Sequence, residues 1–224
     1  MKRKAAVLFD VDGVLVQTEA LRAKAHAATV RSFGGKLPIS FYLKIGGAGK
    51  SHEEVRTAFI EQSGISVAPD AYTRTFRAIF KRLLKGITPT LGIPELLKQL
   101  KDKGCLLGAV SSSETAEVEE ILKRASLAEY FDLIVFGDQA AHKKPAPDLY
   151  LLALSRLSLN PASVIAIEDS DSGVKAALGA GLEVIAFRHR YNRSHSFAGA
   201  KNIFDSFRNT EKLTRLILAN RRRR

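Results

Sequence analysis

Several residues able to do chemistry stand just after short apolar runs. Asp10 and Asp12 follow the run at 5–9, with Gly13 next to them. Ser111, Ser112 and Ser113 follow 106–110, and Glu168, Asp169, Ser170 and Asp171 follow 164–167. Lys143-Lys144-Pro145 lies in the loop after 133–136. Extended residues two apart point the same way, so Asp10 and Asp12 set two carboxylates side by side. Like charges so placed repel and push a pKa up, and a divalent cation offsets the repulsion. Magnesium prefers hard oxygen ligands and usually takes one or two carboxylates together with a substrate phosphate. Asp10 and Asp169 are the ligands this chemistry selects. Lys144 is suited to hold a phosphate charge and keep Asp10 ionised, and Gly13 gives the backbone room to turn or to approach a substrate.

These residues converge only if the apolar runs form one sheet. The runs at 5–9, 106–110, 133–136, 164–167 and 184–187 are apolar almost without alternation, as strands covered on both faces require. Helical patterns separate them at 93–103, 115–126, 149–157 and 173–181. Alternating strands and helices predict an α/β fold, a doubly wound parallel sheet of Rossmann-like type with right-handed crossovers. Ligands of such sheets bind beyond the carboxyl ends of the strands, where the polar residues fall.

The first two strands lie too far apart for a simple crossover. The intervening helical patterns at 19–33, 52–63 and 70–84 predict an inserted helical cap at 17–85, with the catalytic core at 1–16 and 86–224. Asp171 is expected near a helix start, where the dipole favours it. Ser113 is read as a loop or helix-capping residue. His26, His52 and His142 are expected on cap or loop surface, since no ligand-spaced histidine cluster exists.

Composition narrows the classes. Hydrophobic residues make up 46% of the 224, which argues against global disorder, and no apolar run approaches the length of a membrane span. The basic start, Met1-Lys2-Arg3-Lys4, opens like a signal peptide, but Asp10 and Asp12 cut the apolar run short. Cys105 is the only cysteine, which excludes an intrachain disulfide. A cytoplasmic protein without membrane contact is the expectation. Net charge is +12, concentrated toward the end: eleven Lys/Arg between 188 and 224 face only Asp205 and Glu211. No aromatic-basic interleaving accompanies them, so this stretch reads as a solvated face plus tail rather than a nucleic-acid contact.

Four segments together resemble the haloacid dehalogenase superfamily, nearest its β-phosphoglucomutase and phosphoglycolate-phosphatase group with helical caps. Phe9-Asp10-Val11-Asp12-Gly13-Val14-Leu15 is similar to the first motif, Ser111 at a strand end to the second, and Lys144 in Lys143-Lys144-Pro145-Ala146-Pro147-Asp148 to the third. Glu168-Asp169-Ser170 with Gly173-Val174 and Ala176-Ala177 is similar to the fourth. The resemblance implies a magnesium-dependent phosphomonoester hydrolase. Asp10 would attack phosphorus and become an aspartyl-phosphate. Asp12 would protonate the leaving alcohol and later take a proton from water, its main-chain carbonyl binding magnesium. Ser111 would hydrogen-bond the phosphoryl oxygens and Lys144 balance their charge. Asp169 would bind magnesium, and Glu168 beside it would do so directly or through water.

Two positions depart from the group. Gln17 stands where an acid is usual, and Arg22 aligns with a histidine that mutase members use. The second departure favours hydrolysis over a phosphosugar mutase, the nearest alternative. A non-catalytic binding or regulatory module is the other, against which the intact motifs argue. The substrate is expected to be a small phosphorylated metabolite: a sugar phosphate, phosphoglycolate or a nucleotide. Candidate substrate contacts are Ser111, Ser112 and Lys144 in the core. In the cap the candidate is Lys50, in the glycine-rich loop 46–50, with Arg22 and Arg77 weaker.

Overall fold

The structure is a computed structural model that describes residues 6–219. Arg221 to Arg224, the end of the basic tail, lie outside the described residues.

Six parallel strands form one sheet: β1 (Ala6–Phe9), β2 (Leu106–Val110), β3 (Leu133–Val135), β4 (Val164–Glu168), β5 (Glu183–Phe187) and β6 (Asn202–Phe204). Their order is β3-β2-β1-β4-β5-β6, so the order reverses at β1. A crevice opens at such a reversal. The sequence predicts only five strands. The sixth is an edge strand with Asn202 at its start and Ile203 exposed, too polar to show a buried run.

Side chains alternate between the two faces of the sheet. Val7 and Phe9 pack with α5 (Ile93–Asp102), α6 (Thr115–Arg124) and α9 (Thr210–Ala219). Ala6 and Leu8 pack with α7 (Asp148–Leu157) and α8 (Asp171–Gly179). This is the doubly wound core with helices on both faces.

Between β1 and β2 the chain forms the helical cap: α1 (Glu19–Ser32), α2 (Ser40–Lys44), α3 (His52–Ser63) and α4 (Pro69–Leu83). α3 starts with a reciprocal cap between Ser51 and Glu54 and stops at Gly64 in the left-handed conformation, the start and stop chemistry of an autonomous helix. The two connections to the core meet each other. Val16 bridges Pro89, and Thr90 N–H donates to Leu15 O at 2.8 Å. Gln17 braces the same junction through Gly13 O and Thr90 Oγ1.

One expectation is corrected inside the cap. His26 is not on the surface: it is 2% exposed, its ring 4.2 Å from Phe76 and 4.9 Å from Phe59, with Tyr72 Oη 3.0 Å from Nδ1. It shares the helical face of Ala23, Ala27 and Val30, the face that packs on α4. His52 is half-buried and stacks on His26. Burial pushes the His26 imidazole well below its usual pKa and His52 down to about 4, so both are neutral aromatic packing at pH 7. His142 is exposed, beside Asp148.

Among the described residues no helix is long and apolar enough to cross a membrane.

Candidate active site

The parallel ladders bring three strand ends level. Phe9 pairs with Ala109 on one side and Ile167 on the other. Asp10 N–H continues the second ladder to Ile167 O at 2.9 Å, and Ser111 N–H donates to Val135 O. Asp10, Ser111 and Glu168 therefore stand on one rim, and the loop after β3 turns Lys144 in from the side.

Lys144 is the charged centre of this rim. Its ammonium donates to Asp10 Oδ1 at 2.5 Å, to Val110 O at 2.8 Å and to Glu168 Oε1 at 2.7 Å, and its side chain is 5% exposed. Glu168 Oε1 also accepts from Tyr150 Oη at 2.6 Å, and Glu168 Oε2 receives the Asp169 N–H. Glu168 is wholly buried, and a Cβ at Gly173 would come within 1.9 Å of its Oε2. Glycine is the residue that lets α8 lie against this carboxylate.

Asp10, Glu168 and Asp169 each offer an oxygen within 4.8 Å of the others, all buried. Burial pushes the Asp10 carboxyl well above its usual pKa; Lys144 opposes this, and Glu168, Asp169 and Asp12 add to it. Asp169 is pushed the same way by burial, Glu19 and Glu168. Three buried carboxylates thus share one ammonium. The site is short of positive charge, and a hard dication suits its all-oxygen donor set.

Asp12 is held differently. Thr18 Oγ1 and Arg22 Nη2 donate to its Oδ1 at 2.5 and 2.9 Å, and Ser113 Oγ to its Oδ2 at 3.3 Å. Burial works against its ionisation, but Arg22 and these hydrogen bonds outweigh it and hold the carboxyl below its usual range. Without cation or phosphate the two shifts run opposite to those an Asp10 nucleophile and an Asp12 acid need: a bound dication would lower the first, and the negative charge of a bound phosphate would raise the second.

Ser111 is 1% exposed, and its Oγ accepts Ser113 N–H at 3.0 Å, so its hydroxyl proton is left to donate elsewhere. Ser112 Oγ is buried at the cavity wall with no hydrogen-bond partner among the described residues. Ser113 does not cap α6: Glu114 occupies that position, and Ser113 serves Asp12.

Above the rim lies a cavity of about 450 Å³, walled by both core and cap. Lys50 stands exposed at its edge. Arg77 pairs with Glu114 across the mouth at 2.6 Å. Arg22 reaches the cavity but is engaged: it bridges Asp12 and Glu117, 2.5 Å from the latter, and lies over the Phe80 ring. An arginine with two carboxylate partners is placed to steady Asp12 rather than to seize an anion. Arg22→Leu is therefore expected to lower kcat by about 10-fold or more while barely changing KM. A raised KM at unchanged kcat, in steady-state kinetics on one small ester, would instead return Arg22 to substrate binding.

Sequence reasoning missed Glu19 and Tyr42. Glu19 is buried at the start of α1 and accepts from Tyr42 Oη at 2.5 Å, both lining the cavity. Burial pushes the Glu19 carboxyl up, against Arg22 and Tyr42. The readable signal is an acid in the first turn of α1, two residues after Gln17 at the core–cap junction. It missed His189 as well, although a histidine just beyond β5 falls under the strand-end rule applied to the other strands.

Comparison with known proteins accords with this architecture. Residues 7–187 match the family model described as haloacid dehalogenase-like hydrolase. The phosphorylated carbohydrates phosphatase of Thermotoga maritima is 34% identical over 205 residues, 90% of each chain. Protein CbbY of Cereibacter sphaeroides is 32% identical over 90% of this chain and 92% of that one. The crystal structure of CbbY from Rhodobacter sphaeroides in complex with phosphate superposes with a TM-score of 0.81 at 32% identity, covering 92% of this chain and 96% of that one. The chain belongs to the haloacid dehalogenase-like hydrolases. Within that family it is a phosphatase.

Proposed function

We propose that this chain is a magnesium-dependent phosphomonoesterase for phosphorylated carbohydrates, working through an aspartyl-phosphate on Asp10. The observation that carries the reading is the pairing of two differently held carboxylates. Asp10 is bound to Lys144 in a cation-poor cluster, and Asp12 is held by Arg22, Thr18 and Ser113 at the floor of one cavity.

Asp10, Asp169 and the main-chain carbonyl of Asp12 would hold the ion, with Glu168 anchoring Lys144 and Asp169. Bound there, magnesium supplies positive charge against the phosphoryl oxygens. The chain's own groups do the rest. An Asp10 carboxylate oxygen attacks phosphorus and the ester P–O bond breaks. Asp12, protonated in that complex, gives its proton to the leaving alkoxide. Ser111 and Ser112 donate to phosphoryl oxygens, and Lys144 keeps Asp10 anionic before attack and offsets charge during it. Asp12, now a carboxylate, takes a proton from water. The water oxygen attacks phosphorus and the Asp10–phosphorus bond breaks, releasing inorganic phosphate and restoring both acids.

The carbohydrate assignment rests on the cavity. Glu19 and Tyr42 give its wall an acceptor and a phenol suited to hydroxyl groups, and Lys50 stands at its edge. The named substrate class of the Thermotoga relative points the same way. Phosphate release from a panel of sugar phosphates, phosphoglycolate and nucleoside monophosphates tests both parts. Sugar phosphates should rank first, and a chelator should abolish turnover until magnesium is restored. Full turnover in metal-free buffer would remove the metal from the reading. A nucleotide or phosphoglycolate ranking first would remove the carbohydrate.

A further inference from the structure

The segment just beyond β5 takes no part in the steps above, yet it grips a carboxylate of the cluster. His189 has an 8% exposed side chain, and its Nε2 is 2.8 Å from Asp169 Oδ2. Its Nδ1 accepts the main-chain N–H of Tyr191 at 3.2 Å. A neutral imidazole with Nδ1 accepting carries its proton on Nε2, so the ring donates to Asp169.

Asn192 completes the grip and is fully buried. Its Oδ1 accepts His189 N–H at 2.7 Å. Its Nδ2 donates to the main-chain oxygens of Asp169 at 2.7 Å and Phe187 at 2.9 Å. Asp169 is thus held at both its backbone and one carboxylate oxygen. Among the described residues, Asp169 Oδ1 accepts no hydrogen bond. Gly13 closes the remaining side: it adopts φ +82°, and a Cβ there would stand 2.0 Å from Asp169 Oδ2 and 3.1 Å from His189 Nε2. The loop after β1 has to be bare at this point for the pair to fit beneath it.

We propose that the turn at 189–192 is the positioning device for Asp169, with His189 tying down Oδ2 so that Oδ1 is presented to a divalent cation shared with Asp10. Removing such an outer partner of a metal-binding group typically weakens metal affinity by about 10- to 100-fold. The proposal rests on the reading of the acidic cluster as a cation site, and the test separates the two. Manganese binding to the full chain is titrated by electron paramagnetic resonance for the wild type, His189→Phe and His189→Gln. The Phe variant, retaining its far-ultraviolet circular dichroism, should bind Mn²⁺ about 10- to 100-fold more weakly, and the Gln variant should recover most of that loss through its amide N–H. Phosphatase assays should show a raised half-saturating magnesium concentration for His189→Phe, with kcat at saturating metal largely restored. Should the Phe variant not fold, His189→Asn, whose amide falls short of Oδ2, carries the same expectation. If the wild type binds no Mn²⁺, the cation site and this proposal fall together. If the wild type binds and the His189→Phe or His189→Asn variant binds as tightly, the positioning role alone falls. A lowered kcat at saturating metal with unchanged metal affinity also overturns it, because that is the mark of a merely structural residue.

Discussion

Replacing Asp10 by asparagine is expected to lower phosphate release by about 10⁴-fold or more and, in metal-free buffer, to make the protein more stable rather than less. The first effect follows from chemistry: a neutral amide has no anionic oxygen to attack phosphorus, and loss of a nucleophile is among the largest single losses an enzyme shows. The second follows from the environment. Asp10 is buried beside Glu168, Asp169 and Lys144, and burial with the neighbouring acids raises its pKa. A carboxyl whose folded pKa is raised adds stability below its unfolded pKa, and that stability is lost as pH rises through the folded value. At pH 8 the wild type without metal carries that cost, and the Asp10→Asn variant does not. Asparagine can still present an oxygen to Lys144, so the contact survives. Melting temperatures in chelator at pH 5.5 and 8 should therefore show the variant above the wild type mainly at pH 8. Added magnesium should stabilise the wild type by more than the variant. A variant that turns over normally, or melts lower than the wild type at pH 8 without metal, would break the link between charge crowding and nucleophile.

The amino-acid sequence makes the fold and site legible wherever the governing physics is local. The first five strands can be read because a strand covered on both faces must be nearly continuous in apolar residues, and 106–110 has the bounds expected. β6 cannot, because Asn202 opens it and Ile203 lies in solvent, whereas the equally short edge strand β3 is all apolar, Leu133-Ile134-Val135. α2 cannot either, since five residues span little more than one turn of any periodicity. The rim at the strand ends is legible because one topological rule sends every carboxyl end to the same side. Partnerships are not. Nothing in the chain order says that Arg22, bound to Asp12, also reaches Glu117 95 positions further on, or that the Asp169 carboxylate is held from 20 positions away. Gln17 shows the same limit. As a departure from an acidic position it suggests a missing charge. In three dimensions its amide ties the first loop to Thr90 at the cap junction, a neutral donor's role.

Lys144 carries the other large expectation, because among the described residues it is the one ammonium in contact with the buried acid cluster, and it also reaches Val110 O. Those carboxylates, Asp10 first, push its pKa up in spite of burial, so it is charged at both pH 5 and pH 8. Lys144→Met keeps the length and much of the apolar stem but leaves Asp10 and Glu168 without their counter-charge. Breaking a buried ion pair by removing one partner costs about 3–5 kcal/mol, and that deficit should not be constant with pH. Without the ammonium the carboxyl pKa values of Asp10 and Asp169 rise further. Stability should then be nearest to wild type in mild acid, where these groups are protonated, and should fall as pH rises through their folded values. Urea denaturation of the metal-free variant and wild type at pH 5 and pH 8 measures the difference directly. Phosphatase activity should be lost at both pH values even where the fold is recovered, since no cation then balances the phosphoryl charge at this side. Lys144→Arg separates the two roles. It restores positive charge, and with it much of the stability at pH 8, but a planar guanidinium cannot reproduce the point contact with Asp10, Glu168 and Val110, so activity should remain low. If Lys144→Met loses the same stability at pH 5 as at pH 8, the loss comes from packing, and the picture of a cluster short of positive charge is wrong.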